Sequence, residues 1–202
     1  WDDVEISGAK ILGGDFESVE TRCIETEVLP QIPAGAESLL LNGSFEDQSD
    51  GKPEYWRNAY GGGFTETNPY VSLSNEYACS GDYSLRLTAN DTESRPWANQ
   101  RVGVIPLATY IISARILCTT LTSGSAKIKF EFYNAENEDV GAFFNSKGVT
   151  AATNGEWVEI RQTFSTVADC ASVVIYPRLY GAGTVYYDDV YLYLKNDAPD
   201  ID

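Results

Sequence analysis

The chain has 202 residues and a formal net charge of −16, because 30 acidic residues outnumber 14 basic ones. It contains no histidine, which excludes a Ser-His-Asp triad, a Cys-His dyad and an imidazole metal ligand. The negative charge disfavours DNA, RNA and anionic membrane surfaces as partners, because their phosphates would be repelled. No segment has the roughly 20 apolar residues of a membrane-spanning helix, so we predict no membrane insertion.

Residues 1–37 differ from the rest of the chain and are predicted to form an N-terminal extension or linker. The stretch 26–37 carries two prolines and little periodicity. Residues 1–6 (W-D-D-V-E-I) are similar to residues 187–192 (Y-D-D-V-Y-L), and two interpretations stay open. The N-terminal segment is either the end of a preceding similar module, or an acidic extension with a chance similarity, tethered behind a lipid-anchored N-terminus.

From residue 38 onward, short segments alternate apolar and polar residues with a period of two, as strands with one buried face do. The alternate residues, such as Ile111 and Leu117, are predicted to lie on an open sheet face. About ten or eleven strands separated by turn signals predict an all-β, two-sheet antiparallel β-sandwich (jelly roll) over 38–194, with an acidic tail at 195–202. The residues predicted to face the core of this sandwich are Tyr110, Ile112, Ala114, Ile116, Ile128, Phe130, Phe132, Val173, Ile175 and Leu179.

The four cysteines are Cys23, Cys79, Cys118 and Cys170, and none forms a CxxC pair. This spacing argues against a zinc knuckle or a redox motif. Two disulfides and buried free thiols are both compatible with it.

Three motifs occur in order at domain-length spacing. They are L-N-G-S-F-E at residues 41–46 followed by G-K-P-E-Y-W at residues 51–56, S-G-D-Y-S-L-R-L at residues 80–87 followed by Trp97, and G-T-V-Y-Y-D-D-V at residues 183–190. This set resembles the β-sandwich carbohydrate-binding modules of the group that joins families four, nine and twenty-two, also described as galactose-binding-domain-like. The resemblance covers about residues 38–194. It implies a non-catalytic module that binds a polysaccharide or oligosaccharide on the concave face of one sheet.

The resemblance also implies a structural calcium ion where the three motifs meet. Calcium takes six to eight oxygen ligands, both carboxylates and carbonyls. The ligands implied by motif position are the Ser44 carbonyl, the Glu46 carboxylate, Ser80, the Tyr83 carbonyl and the Asp188 carboxylate. Some relatives place an acidic residue at the Ser80 position, so a serine there would weaken the site or leave a backbone ligand. The alternative is that Glu46 and Asp188 simply accept hydrogen bonds from turns.

Two groups of residues are predicted to bind the sugar. By resemblance, Trp97 provides a stacking ring and Gln100 a hydrogen-bonding amide on the concave sheet, the alternative for Trp97 being burial in the core. On the non-core side of one strand, Tyr176, Arg178 and Tyr180 combine two rings with a rigid multiple donor, the alternative being a solvated face.

Three further aromatic residues complete the predicted site. Tyr133 lies on the non-core face of its own strand and joins the ligand-binding set. Trp56 and Tyr60 both precede a run of three glycines at residues 61–63, with Tyr60 lining the groove and core burial as the alternative for Trp56.

The acidic cluster at residues 131–139 is a candidate source of glycosidase carboxylates. Nothing in the sequence sets two of them at the separation that hydrolysis requires, and such a charge run is usually a solvated loop. We therefore predict no catalysis. A structural or adhesive sandwich module and a small carbohydrate-active enzyme such as a lyase stay as alternatives.

The net charge favours a neutral glycan, because an acidic glycan would be repelled. We expect a secreted or cell-surface protein with further modules or a catalytic domain in the full-length chain.

Overall fold

The computed structural model describes residues 29–60, 63–65 and 68–195. Eleven strands and no α-helix occur in these residues. In chain order the strands are β1 (Gln48–Ser49), β2 (Lys52–Pro53), β3 (Val71–Ser74), β4 (Ser84–Ala89), β5 (Gln100–Gly103), β6 (Thr109–Leu121), β7 (Ser125–Tyr133), β8 (Asp139–Val149), β9 (Val158–Ser165), β10 (Ser172–Tyr180) and β11 (Gly183–Leu194).

The strands form two main sheets and one small hairpin. The first main sheet has five strands in the order β3-β4-β11-β6-β9, the second has four in the order β5-β10-β7-β8, and β1 pairs with β2. Each of these strand pairs is antiparallel. The predicted two-sheet antiparallel β-sandwich is therefore confirmed.

One apolar core joins the two main sheets. Phe130 of β7 packs on Phe164 of β9 with ring centroids 4.5 Å apart. Tyr187 of β11 is fully buried, and its hydroxyl donates to the carbonyl of Arg178 in β10 at 2.7 Å. A buried hydroxyl with a partner costs little, so Tyr187 ties the sheets together with both its ring and its polar end.

The alternation predicted for β7 and β10 is confirmed. Their inward residues, including Ile128, Phe130 and Ile175, are fully buried in the core, and the residues between them face away. The open outer face predicted for β6 is wrong, because Ile111 and Leu117 are also fully buried. Large rings on β11 explain this, since Tyr193 lies opposite Ile111 and Tyr186 opposite Leu117 on the same face.

The first motif packs directly against the last strand. The Gly43 carbonyl accepts the N–H of Val190 at 2.9 Å. A Cβ on Gly43 would lie 2.1 Å from the Val190 carbonyl oxygen, so no other residue fits without moving the backbone. Phe45, two residues on, is fully buried. The motif therefore anchors the start of the sandwich to its C-terminal strand.

The termini of the predicted domain can be described only in part. The Leu39 N–H donates to the Leu192 carbonyl at 2.7 Å, and the Pro30 carbonyl accepts a hydrogen bond from Arg161 at 3.1 Å. Residues 1–28, with the similarity at 1–6, and the tail at 196–202 lie outside the described residues, so the predicted domain limits stay predictions. No helix in the described residues has the length and apolar character needed to cross a membrane.

Three of the four cysteines lie in the described residues, and all three are free thiols. Cys118 and Cys170 are buried, whereas Cys79 is exposed. Burial raises the pKa of Cys118 to about 12, so this thiol stays protonated and unreactive at neutral pH. Since Cys23 lies outside the described residues, the structure bears out the free-thiol alternative for Cys79, Cys118 and Cys170 only.

Candidate functional site

The outer side of the four-stranded sheet brings several predicted ligand-binding residues together. Along β10 the residues that alternate with the core set face outward. The register of β10 with β7 places Lys129 beside Tyr176, and Lys127 beside Arg178, and residues directly opposite on neighbouring strands share a face. We call this surface the aromatic face; its members are Trp97, Arg101, Lys127, Lys129, Glu131, Tyr133, Val174, Tyr176, Arg178 and Tyr180.

Trp97 lies on the aromatic face and not in the core. It forms an isolated antiparallel bridge with Arg178, and its ring meets the edge of Tyr176 with centroids 5.5 Å apart and an interplanar angle of 87°. The next residue, Ala98, is fully buried in the core. The two-residue alternation therefore carries Trp97 to the outside.

A groove of about 990 Å³ opens at the Trp97 end of the aromatic face. This volume is at the upper end of the usual range for small-molecule sites. Residues of β2, of the region that follows β2 and of the loop before β5 line the groove together with the sheet. The groove is lined by Lys52, Tyr55, Arg57, Trp97, Tyr133 and Tyr176, among others. It combines rings with polar and cationic groups, the mixture that sugar binding needs.

A hydrogen-bonded cluster around Glu131 orients two tyrosines of the face. The Glu131 carboxylate accepts the Tyr176 hydroxyl at 2.6 Å and the Tyr133 hydroxyl at 3.2 Å, and it pairs with Lys129. Burial raises the pKa of Glu131, but the hydrogen bonds from Lys129 and the two hydroxyls outweigh burial, and the pKa lies below its usual value. The cluster holds both rings in fixed positions around an ionised carboxylate.

Two of the predicted residues have other roles. Gln100 lies opposite Ile175, a core residue, so it faces inward, and its amide accepts the Leu41 N–H at 2.8 Å and donates to the Leu41 carbonyl at 2.9 Å. Trp56 is only 5% exposed, and its indole N–H donates to the Asn42 carbonyl at 2.8 Å. Gln100 is nevertheless among the residues that line the groove, with its side-chain amide held by Leu41, whereas Trp56 belongs to the core, as its alternative expects.

Tyr60 lies beside the aromatic face. Its ring packs edge-on against Tyr70 with centroids 5.4 Å apart, and its hydroxyl accepts the Arg95 N–H at 3.3 Å. It is half-buried. The structure therefore brings Trp97, Tyr133, Tyr176, Arg178 and Tyr180 onto one surface. Gln100 lies at the groove, Tyr60 lies beside the face, and Trp56 lies in the core.

Sequence reasoning missed several members of the site. Arg101 directly follows Gln100 in β5, so the two side chains point to opposite faces of the sheet, and Arg101 points outward. Lys129 and Glu131 alternate with the core phenylalanines of β7, and that pattern was a sufficient signal. Nothing local identified Tyr55 and Arg57, because only the tertiary fold brings the region after β1 beside Trp97.

At the predicted calcium site, Glu46 meets the second motif. Its carboxylate accepts the Asp82 N–H at 3.0 Å and the Tyr83 N–H at 2.9 Å. A Cβ on Gly81 would lie 2.4 Å from the Glu46 carboxyl carbon. Glycine at that position therefore lets the carboxylate reach the amides.

The Asp188 carboxylate meets the same turn from the last strand. It is fully buried, and its Oδ2 accepts the N–H groups of Cys79 at 2.7 Å and Ser80 at 3.1 Å. Its Oδ1 accepts the Asp189 N–H at 2.7 Å. Burial raises the pKa of Asp188 to about 6, against the lowering effect of these amides.

Glu46 and Asp188 together form what we call the carboxylate staple, which joins the first, second and third motifs. Both carboxylates already have backbone donors, as the hydrogen-bonding alternative expects, and a calcium ion would have to share them. The Ser80 hydroxyl donates to Asp189 at 2.8 Å. No cluster of three or more acidic, cysteine or histidine side chains able to hold a metal occurs within 29–60, 63–65 and 68–195. Calcium binding stays a prediction of the resemblance.

Solved structures of other proteins have a fold similar to that of this chain. The sequence matches no protein-family model and no curated protein. Among solved structures, the CBM22-1 xylan-binding domain from Paenibacillus barcinonensis Xyn10C has a TM-score of 0.55 and 20% identity, over 79% of this chain and 95% of that one. TmCBM61 in complex with β-1,4-galactotriose has a TM-score of 0.52 and 16% identity, over 79% of this chain and 99% of that one.

A third similar structure is the enzymatically active domain of bacteriophage CBA120 tailspike protein 4. Its TM-score is 0.57 with 11% identity, over 78% of this chain but only 21% of the tailspike chain. The matched part is thus a minor part of a larger protein, whereas the two modules match over nearly their whole length. The chain therefore has the β-sandwich fold of the carbohydrate-binding modules.

Proposed function

We propose that the protein binds a polysaccharide or oligosaccharide on the aromatic face and in the groove beside it. The observation that carries this proposal is that Trp97, Tyr133, Tyr176 and Tyr180 share one sheet surface with Arg178. Aromatic rings offer flat apolar platforms with little conformational entropy to lose, and a guanidinium offers several hydrogen-bond donors in a fixed plane. Sugar rings present both apolar C–H faces and hydroxyl groups that match this pattern.

The neighbouring structures support the same function. The modules that this chain matches over nearly their whole length are named for xylan binding and for a complex with a galactotriose. On the aromatic face, the Glu131 carboxylate is engaged by Lys129 and two tyrosines, which supports a role other than acid-base catalysis. We propose a non-catalytic role, in which the protein holds an attached enzyme or a cell surface to glycan outside the cell.

The test is binding of the purified chain to an array of plant and algal polysaccharides, followed by isothermal titration. Trp97→Ala removes the ring at the mouth of the groove, and we expect a loss of affinity of about tenfold or more, as for other aromatic anchors. Tyr77→Ala is the matched control, because Tyr77 is a partly exposed ring that packs on Tyr186 of the other sheet. If no glycan binds, the structural or adhesive alternative replaces this proposal.

A further inference from the structure

The basic residues of this acidic chain are concentrated around one surface. All of the 14 lysines and arginines except Lys10 and Arg22 lie in the described residues. Seven of them lie on the aromatic face, in the groove or directly beside them. They are Lys52, Arg57, Arg95, Arg101, Lys127, Lys129 and Arg178.

Few carboxylates oppose these charges. Among the outward residues of the described strands β5, β7 and β10, Glu131 is the only acid, and its ion pair is with Lys129. Asp139 of β8 lies opposite Tyr133 at the far end of the face. For the other six basic residues, no carboxylate of the described part of the chain lies within 4.0 Å of the cationic group. On the outward residues of β5, β7 and β10, four basic side chains therefore stand against one carboxylate.

Contacts with tyrosine rings hold several of these cations in place. The Arg101 guanidinium lies 4.0 Å from the centroid of Tyr133. Arg178 and Lys127 lie 4.9 Å and 4.7 Å from the centroid of Tyr180. A cation over a ring is attracted by the ring quadrupole but keeps its full charge. These contacts position the cations without neutralising them, unlike salt bridges.

Arg178 also has a donor without an acceptor. Its Nε is buried, and no hydrogen-bond partner for it exists in the described part of the chain. A buried polar group without a partner costs free energy. Because this Nε is covered by its neighbours, an acceptor on a ligand meets the guanidinium only at its two terminal nitrogens. Carboxylate and sulfate groups match the planar guanidinium with two parallel hydrogen bonds.

The local charge outweighs the net charge at this surface. At physiological ionic strength the Debye length is roughly 8 Å, so exposed carboxylates on the far side of the sandwich are largely screened from a ligand in the groove. Cations at contact distance are not screened in this way, and a cleft focuses their field. The net charge of −16 therefore does not decide the charge of the ligand.

We propose that the aromatic face and its groove take an acidic glycan, a polysaccharide whose sugars bear carboxylate or sulfate groups. An anionic group lies at Arg178, with sugar faces on Trp97 and Tyr176. This inference rests on the proposed function and specifies its ligand class. It replaces the neutral glycan expected from the net charge.

The experiment measures binding of the full chain to four polysaccharides by isothermal titration. Polygalacturonate carries carboxylates, carrageenan carries sulfates, and xylan and galactan are neutral probes. We expect one of the two acidic polymers to bind more tightly than both neutral ones, with an affinity that falls as NaCl is raised. The preferred acidic polymer identifies the anionic group.

The matched variants are Arg178→Gln and Arg115→Gln. Both lower the positive charge equally, but Arg115 pairs with Glu159 on the other sheet at 3.1 Å. We expect Arg178→Gln to weaken binding of the acidic polymer about tenfold or more, because a hydrogen bond to a charged group is lost. We expect Arg115→Gln to keep the affinity within about twofold of that of the unmodified chain, because an exposed ion pair contributes little. Circular dichroism and thermal unfolding establish that both variants are folded.

The outcomes separate this inference from the function on which it rests. If xylan or galactan binds as tightly as the acidic polymers, or if both variants bind alike, the acidic-glycan inference is wrong and glycan binding stands. If none of the four polymers and no glycan on the array binds, both the acidic-glycan inference and the proposed glycan-binding function are wrong.

Discussion

Two tryptophans of this chain show how residues with similar sequence surroundings take opposite roles. Trp56 and Trp97 each follow a recognisable motif, and the sequence predicted both as ligand-binding residues. Trp56 packs on Phe45 with centroids 5.0 Å apart and donates its N–H to a backbone carbonyl, whereas Trp97 bridges Arg178 on the outer face. Composition cannot separate them, because both environments favour a large ring with one polar atom.

The Glu131 cluster leads to a prediction about pH at the residue scale. The facing charged and titratable groups are Lys129 on the same strand and Tyr133 and Tyr176, with Arg101 over the Tyr133 ring. Because the folded-state pKa of Glu131 lies below its ordinary value, its stabilisation is present above that ordinary value of about 4.3 and is lost as the pH falls through the folded pKa.

Thermal unfolding of Glu131→Gln against the unmodified chain measures this effect. We expect the variant to unfold at a lower temperature at neutral pH, and the difference to shrink as the pH falls below about 4. Glu138→Gln is the control, since Glu138 is an exposed acid just beyond β7. A difference that stays constant down to pH 2 or so would show that the carboxylate charge does not stabilise the cluster.

At the scale of elements, the carboxylate staple joins strands that are far apart in the chain. Glu46 reaches the turn before β4, and Asp188 reaches the same turn from β11. Each carboxylate accepts charge-assisted hydrogen bonds from backbone amides, which are stronger than neutral ones. These hydrogen bonds therefore bring the three motifs together, independently of which ligand the aromatic face binds.

Calcium binding at the staple is tested by thermal unfolding with and without a chelator. An ion that binds only the native state raises the unfolding temperature by mass action, so we expect chelator to lower the midpoint and added calcium to restore it. Glu46→Gln should remove the response, because a neutral amide is a weaker calcium ligand. If chelator does not change the midpoint of thermal unfolding at several protein concentrations, the staple binds no calcium and is held by the amide hydrogen bonds alone.

At the scale of the whole molecule, charge acts in two opposite ways. The net charge of −16 opposes compaction through self-repulsion, while the basic residues collected at one surface attract an acidic ligand. Salt screens both interactions. We expect NaCl to raise the midpoint of thermal unfolding while it lowers affinity for the acidic glycan.

Differential scanning calorimetry across a NaCl series measures the stability half of this prediction. A sucrose series of equal osmolality is the control, because sucrose strengthens burial without screening charge. A midpoint that falls with NaCl, or that rises no more than in sucrose, would show that self-repulsion contributes little to stability.

Much of the fold could be predicted because the information is local. The inward and outward residues of β7 and β10 follow from a period of two, which depends only on the alternating direction of side chains along a strand. The outward set of β6 could not be assigned in this way, since its burial depends on Tyr186 and Tyr193 from β11. Pairing between distant strands is not visible in the pattern of either one.

The sequence by itself determined the all-β class, the core-facing residues of β7 and β10, and the outward positions of Tyr133, Tyr176, Arg178 and Tyr180. The tertiary structure alone decided that Trp97 joins them, that Gln100 turns inward to Leu41, and that seven cations surround one surface of an acidic chain. Side-chain direction is a local property of a strand, whereas the neighbours of a side chain depend on register between strands that are far apart in the sequence.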